Sequence, residues 1–340
     1  MAYTNIDDPS AHFQTAIYTG NGGSDRAIVN DGNSAMQPDW VWYKSRSNAS
    51  SHITYDSTRG DGPYLKPSDA GDEGTDANMF ESFDSDGFSL NGDTDGNGSG
   101  RTYVAWQWKA NGGTTASNTV GNINSVVQAN TDAGFAIVTY TGNGSANQTI
   151  GHGLGAVPKM ILFKNRSNAA YWYVYHVATG NDTMTYLNLT NAAQSLSSQF
   201  STPTTTTFNV SNENSTFSGY NTSGDAYVSY VFADVQGYSK FGKYVGNGNA
   251  NGPFIYTGFK PAFVMIKRIS GVRSWIMFDI KRNEFNVMNA ALYPNLTNVE
   301  YTDLNMIDSL SNGFKLRNDN PIGNTSGDAY LYMAFAENPF

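Results

Sequence analysis

Tyr18-Thr-Gly-Asn-Gly22 returns as Tyr140-Thr-Gly-Asn-Gly144 and again as Tyr244-Val-Gly-Asn-Gly248. Downstream of each lies a second block: Pro38-Asp-Trp-Val-Trp-Tyr-Lys44, Pro158-Lys-Met-Ile-Leu-Phe-Lys164 and Pro261-Ala-Phe-Val-Met-Ile-Lys267. A third block closes each copy: Ser99-Gly-Arg-Thr-Tyr103-Val-Ala-Trp106, Ser223-Gly-Asp-Ala-Tyr227-Val-Ser-Tyr230 and Ser326-Gly-Asp-Ala-Tyr330-Leu-Tyr-Met333. Three blocks in one order, three times over, predict three homologous modules of roughly 100 residues. That period is too long for a stacked solenoid, so each copy is expected to own its core. The boundaries read as an N-terminal arm over 1–12, modules over 13–112, 135–237 and 238–340, and a Gly/Asn/Ser/Thr linker over 113–134. A triplicated chain displays a surface several times, whereas an enzyme needs one active site.

Within each copy the local signals are strands. Trp40–Lys44, Met160–Phe163 and Phe263–Ile266 are short aromatic and β-branched runs, each with Pro before it and turn residues after it. Ile53–Tyr55, Trp172–Tyr175 and Trp275–Phe278 follow across Ser/Asn/Gly turns and predict hairpins. No stretch sustains a 3.6-residue period. The expected fold is all-β: three tandem homologous antiparallel β-sandwich modules, jelly-roll or lectin-like.

Composition excludes several functions. Only 14% of the 340 residues are charged, while Gly (35) and Tyr (21) are abundant. The net charge of −9 argues against nucleic acid and against anionic membrane surfaces. With no cysteine, disulfides, thiolate metal sites and cysteine nucleophiles are ruled out. The first ten residues lack a basic region followed by an apolar one, so no signal peptide is read there, and no stretch approaches the roughly 20 apolar residues of a membrane span. Folding in a cytoplasm, which need not be where the chain works, is expected. Asn-x-Ser/Thr triplets such as Asn143-Gly-Ser and Asn221-Thr-Ser follow from a composition rich in these residues.

Catalytic chemistry finds little support, and the chain is not expected to be an enzyme. Glycosidases need two carboxylates roughly 5 to 10 Å apart. The six Glu residues share no module position, and Asp56 and Asp279, which match each other, face His176 in the second copy. These two acids are expected to pair with Lys44 or Lys267 on the neighbouring strand. His12, His52, His152 and His176 are scattered, and His152 reads as a turn residue satisfied by backbone. Asp93-Thr-Asp95-Gly-Asn97-Gly98 imitates the opening of a calcium loop, but the twelfth position is Val104 where a bidentate Glu belongs. It reads first as a solvated turn, with calcium at Asp93, Asp95 and Asn97 as the alternative; no other cofactor is expected. Most of the six tryptophans read as packing. Trp42 and Trp108 are the candidate ligand-binding pair, because Trp42 is matched by Leu162 and Met265 and the core therefore does not demand an indole there.

Further words carry a resemblance: Ile6-Asp-Asp-Pro-Ser10 with Phe13-Gln14, Ser117-Asn-Thr, Ala129-Asn-Thr-Asp-Ala-Gly-Phe135 and Gly151-His-Gly-Leu154. Lys164-Asn-Arg-Ser167, Arg59-Gly60, Ser85-Asp-Gly-Phe88 and Tyr103-Val-Ala-Trp-Gln-Trp-Lys109 complete the set. Together with the Tyr-Thr-Gly-Asn-Gly block, they resemble a repeat module of virion and tail-fibre proteins of marine bacteriophages, of the cyanophage and pelagiphage type. The resemblance implies a lectin-like β-sandwich on the outside of a phage particle. The expected function is that of a virion structural protein, a tail-fibre or receptor-binding component adhering to a host surface glycan. A capsid decoration protein without a specific ligand is the first alternative, and a glycan depolymerase the second. Its partners would be other virion proteins, host surface polysaccharide and further copies of itself. Self-association is expected, because abundant Tyr and Trp with few charges suit obligate contacts, and the resemblance to fibre tips implies a homotrimer.

Overall fold

A computed structural model of the protein describes residues 4, 6–181, 183–195, 200–211 and 218–337. Among them helix is confined to Thr94–Asn97 and two 3-10 turns, Pro9–Ala11 and Ser218–Tyr220. The protein is all-β, built from several antiparallel sheets, as the short aromatic runs between Gly- and Asn-rich turns predict.

One strand order recurs in each repeated stretch. The opening strand pairs with the closing strand, which pairs with the first strand of the hairpin, which pairs with the second. In the first copy these are Phe13–Thr19, Thr102–Trp108, Trp40–Ser45 and Ile53–Asp56. In the second they are Phe135–Thr141, Ala226–Phe232, Met160–Asn165 and Tyr173–His176. The third uses Ser239–Val245, Ala329–Phe335, Phe263–Arg268 and Trp275–Asp279. Each copy adds a smaller sheet around the pairs Arg26–Val29 with Gly87–Leu90, Gln148–Gly151 with Thr207–Val210, and Phe254–Tyr256 with Gly313–Leu316.

Both faces of each larger sheet are buried, which is why its central strands read as unbroken apolar runs. Val41 and Tyr43 join a cluster belonging to the first copy, as Ile161 and Phe163 do in the second and Val264 and Ile266 in the third. The alternate residues all enter one further cluster shared by the whole chain: Trp40, Trp42, Met160, Leu162, Phe263 and Met265. Within it Trp40 stacks on Tyr230 of the second copy at 4.3 Å between ring centroids, and Phe13 stacks on Phe335 of the third at 5.4 Å. The expectation that each copy owns its core is therefore only half met.

The copies touch one another in a closed cycle. Ala170 N donates to Ala70 O (2.8 Å), Arg273 N to Thr190 O (2.9 Å) and Ser50 N to Thr297 O (2.9 Å), so the second copy meets the first, the third the second and the first the third. A second set repeats the pattern: Trp172 Nε1 donates to Lys66 O (3.0 Å) and Trp275 Nε1 to Tyr186 O (2.7 Å), while His52 at the matching position faces the Tyr293 backbone. One contact that repeats head to tail and returns to its start is a ring, here closed within a single chain.

The 113–134 stretch is structured where a linker was expected. Ala116–Asn118 and Ser125–Asn130 extend the second copy's sheet, with Ser125–Asn130 pairing along the whole of Phe135–Tyr140. Buried Asp39 anchors its beginning, accepting from Ala110 N (2.7 Å), Gly112 N (2.8 Å) and Gly113 N (2.7 Å). Gln128 then donates to Ser57 Oγ and Thr58 Oγ1, both at 2.9 Å. Neutral side chains that suggest a flexible tether thus serve as hydrogen-bond partners.

Trp40→Ala removes a ring stacked on both Trp108 and Tyr230 and is expected to cost about 3–5 kcal/mol. Because the core is shared, urea unfolding followed by tryptophan fluorescence should show one transition moved as a whole, with no separate melting of the first copy.

Candidate functional site

The two tryptophans expected to reach a ligand lie in the shared core. Trp42 and Trp108 are each 1% exposed. Trp42 Nε1 donates to His52 Nδ1 at 2.9 Å, and Trp108 stacks on Trp40 with ring centroids 4.5 Å apart. Leu162 and Met265 do take the place of Trp42, but all three fill the same cluster. Their volumes are pooled there, so one large residue offsets smaller ones elsewhere. Neither indole meets solvent, so contrary to expectation neither Trp42 nor Trp108 can stack on a ligand.

The calcium-like loop is also committed to the fold. Asp93 caps the turn Thr94–Asn97, its Oδ1 accepting from Asp95 N at 2.7 Å. Asn97 is fully buried and holds the Tyr-Thr-Gly-Asn-Gly loop: it accepts from Asn21 N (2.9 Å) and donates to Asn21 Oδ1 (3.0 Å) and Gly23 O (2.7 Å). Asn221 does the same for Asn143 N (3.1 Å), Asn143 Oδ1 (3.2 Å) and Ser145 O (2.6 Å). Asn324 repeats it on Asn247 N (2.8 Å), Asn247 Oδ1 (3.1 Å) and Asn249 O (2.9 Å). These clamps explain the repeated Asn-x-Ser-Gly word ahead of each closing strand, where they could have been found.

The acids meet arginine, not the expected lysines. Asp56 pairs with Arg59 (2.5 Å) and accepts from Tyr230 Oη of the second copy (2.7 Å). Asp279 pairs with Arg282 (2.5 Å) and accepts from Trp106 Nε1 of the first copy (3.0 Å). Each arginine then meets a glutamate that also binds an arginine of the next copy. Glu73 joins Arg59 (2.8 Å) and Arg166 (2.7 Å), while Glu300 joins Arg282 (2.9 Å) and Arg46 (2.8 Å). Burial pushes both glutamates up, but the hydrogen bonds and charge of these arginines outweigh it and hold them below the usual carboxylate range. Glu73 and Glu300 therefore do share a position, marked by matching backbone bonds from Glu73 N to Arg166 O and Glu300 N to Arg46 O. At the third junction Ala193 N bonds to Ile269 O, and His176 reaches Tyr332 O at 3.1 Å. No substrate can reach the Asp56–Arg59 and Asp279–Arg282 pairs, whose side chains are fully buried.

Lys44, Lys164 and Lys267 instead cap carbonyl groups. Lys44 Nζ donates to Ser45 O and Asn48 O, Lys164 Nζ to Ala70 O (3.1 Å) and Ala170 O (2.7 Å), and Lys267 Nζ to Thr190 O (3.1 Å) and Arg273 O (2.5 Å). Burial pulls Lys44 and Lys164 down to about 8 and Lys267 to about 7. His152, too, takes both ring nitrogens to backbone, at Leu154 N and Thr204 O, each 3.2 Å.

What faces outward differs between copies. Ile28, Ile150 and Ile255 occupy one buried place in the smaller sheets, opposite Phe88, Phe208 and Phe314. The residues on either side are Ala27 and Val29, then Thr149 and Gly151, but in the third copy Phe254 and Tyr256. These two rings are 45% and 59% exposed. The fold accepts alanine, threonine or glycine there, so neither aromatic is demanded by packing. They form the candidate surface, alongside Lys240 and Asp234 across a groove.

A family model described as a domain of unknown function, DUF7483, matches residues 8–339. The chain belongs to the DUF7483 family. The DUF7483 match runs through all three repeats. No curated protein and no solved structure matches the chain.

The three lysines set a pH dependence. Their folded values lie below the ordinary 10.5, so between about pH 8 and about pH 9 the unfolded chain holds more protons on these lysines and stability rises with pH, before the buried tyrosines, whose hydroxyls burial pushes up, reverse the trend as pH nears 10. Urea midpoints measured across that window should climb, and Lys267→Met should flatten the climb.

Proposed function

We propose that the protein is a structural component of a bacteriophage particle, displayed on its outside, which adheres to a host surface glycan. It is made in the host cytoplasm and works on the virion, in contact with other virion proteins. In this reading the chain is three tandem antiparallel β-sandwich modules locked into a ring that serves as a rigid platform. The observation that carries adhesion is the exposed Phe254–Tyr256 pair, which two of the three equivalent sheets do without. A decoration protein with no ligand has no use for aromatics on one copy only, unless they bury against a neighbour. A depolymerase needs a free pair of carboxylates, whereas Asp56, Glu73, Asp279 and Glu300 are held by arginines.

Homo-oligomerisation, with three chains favoured, remains part of the proposal. The abundant tryptophans no longer argue for it, because all six are buried within the chain. Tail-fibre placement rests on the sequence resemblance.

The test is binding of the intact protein to host cells and to their extracted surface polysaccharide, with released reducing ends assayed in parallel. Saturable binding that competes with infecting phage and releases no sugar is expected. Sugar release would establish the depolymerase, and absence of binding to cells would move the protein to particle architecture.

A further inference from the structure

After the second copy's closing strand the chain turns through Asp234 and Gln236 into the strand Ser239–Val245. Asp234 fixes this turn, Oδ1 accepting from Phe241 N (2.9 Å) and Oδ2 from Lys240 Nζ (2.8 Å). Across from it runs the strand Phe254–Tyr256, at the edge of the third copy's smaller sheet. Between them lies an open groove of 530 Å³, lined by Asp234, Gln236, Ser239, Lys240, Tyr256 and Thr257. That volume suits a small ligand or one or two rings of a longer one.

The chemistry of the groove is peculiar to this copy. Lys240 stands where the strand registers place Gln14 and Ala136, and Tyr256 where they place Val29 and Gly151. Lys260, exposed, three residues after the groove-lining Thr257 and directly before Pro261, matches Gln37 and Val157 before Pro38 and Pro158. Each change introduces a cation or an aromatic ring. Residues 238–340 hold ten of the chain's twenty Lys and Arg but only eight of its twenty-nine Asp and Glu. This third is thus net +2 in a chain of net −9.

We propose that this groove is a binding subsite for an acidic saccharide, a sugar carrying carboxylate or sulfate. The inference rests on the adhesion reading and names the ligand class and the residues. The exposed face of Tyr256 stacks on the apolar face of a sugar ring, and an aromatic residue with a polar tip suits a site that is half apolar and half wet. Lys240 and Lys260 provide ammonium donors for the anionic group through charge-assisted hydrogen bonds. The exposed Gln236 amide meets sugar hydroxyls, while the buried Ser239 and Thr257 hydroxyls are held by backbone. Concavity and mixed polar lining favour a sugar over a flat protein contact; Lys240 is balanced by Asp234, so it is Lys260, in no ion pair among the described residues, that favours an acidic sugar over a neutral one.

The experiment titrates the full chain with alginate oligosaccharides, dextran sulfate and neutral dextran, at low and high salt. At least one of the anionic polymers is expected to bind, weakening as salt rises, and neutral dextran to bind at least about tenfold more weakly. Comparing alginate with dextran sulfate separates carboxylate from sulfate recognition. Tyr256→Ala, and separately Lys260→Ala, should each weaken binding by about tenfold or more while leaving the urea midpoint unchanged. Tyr171→Ala, on another copy, serves as the control and should bind as wild type. The proposal is overturned if neither anionic polymer binds, if neutral dextran binds as well, or if Tyr256→Ala and Lys260→Ala both bind as wild type. It is also overturned if Tyr256→Ala alters only self-association in sedimentation. Host-cell binding that survives both substitutions would sink this groove and leave adhesion standing, whereas its absence in the wild type would sink adhesion itself.

Discussion

A sheet apolar on both faces cannot rest against water on either. That constraint governs this molecule. Trp40 and Trp42 lie on one face of the first copy's central strand and Val41 and Tyr43 on the other, and all four are buried. The copy's smaller sheet covers only the second face. The first must be covered by other copies, and three copies arranged head to tail do so without leaving an uncovered side. Triplication is therefore a condition of stability for each copy as it stands, since about half of its sheet surface would otherwise be exposed.

The junctions show how such a ring tolerates sequence change. Two use the same polar set: Asp56, Arg59 and Glu73 against Arg166 and Tyr230, and Asp279, Arg282 and Glu300 against Arg46 and Trp106. At the third, His176, Thr179 and Ala193 stand opposite Ile269 and Met333, so acids and arginines are replaced together. Removing one member of a buried ion pair strands a charge, whereas replacing the set with neutral groups leaves none. The substitutions that look like lost function in the second copy are thus one coordinated exchange.

Strand positions were legible because the blocks Trp40–Lys44, Met160–Lys164 and Phe263–Lys267 repeat in register. Which face each residue takes was not, because alternation vanishes when both faces are apolar. That is why Trp42 could be mistaken for a surface residue. The equivalence of Glu73 and Glu300 was hidden by loop length, since 17 positions separate Asp56 from Glu73 and 21 separate Asp279 from Glu300. The stretch after Ala110 misled for another reason: Asn, Ser, Thr and Gly describe a tether and a hydrogen-bonded edge strand equally well. The Asn97, Asn221 and Asn324 clamps stood in plain view beside the closing blocks. The outward aromatics Phe254 and Tyr256 needed the register against Phe314 before their copy-specific exposure had meaning.

The Asn clamps bear on how the protein ages. An asparagine followed by glycine is a weak point in a chain, because the glycine nitrogen can attack the side-chain amide, expel ammonia and leave an aspartyl or isoaspartyl link. This chain carries that pair at the head of every copy, at Asn21-Gly22, Asn143-Gly144 and Asn247-Gly248. In each, the glycine N–H is bound to a carbonyl of the clamp residue: Asn97 O at 2.8 Å, Asn221 O at 3.0 Å and Asn324 O at 3.0 Å. The vulnerable side-chain amide is gripped by the same residue. Both partners in the damaging reaction are held apart from it, so the fold slows a chemical clock that its own repeats would otherwise run three times over.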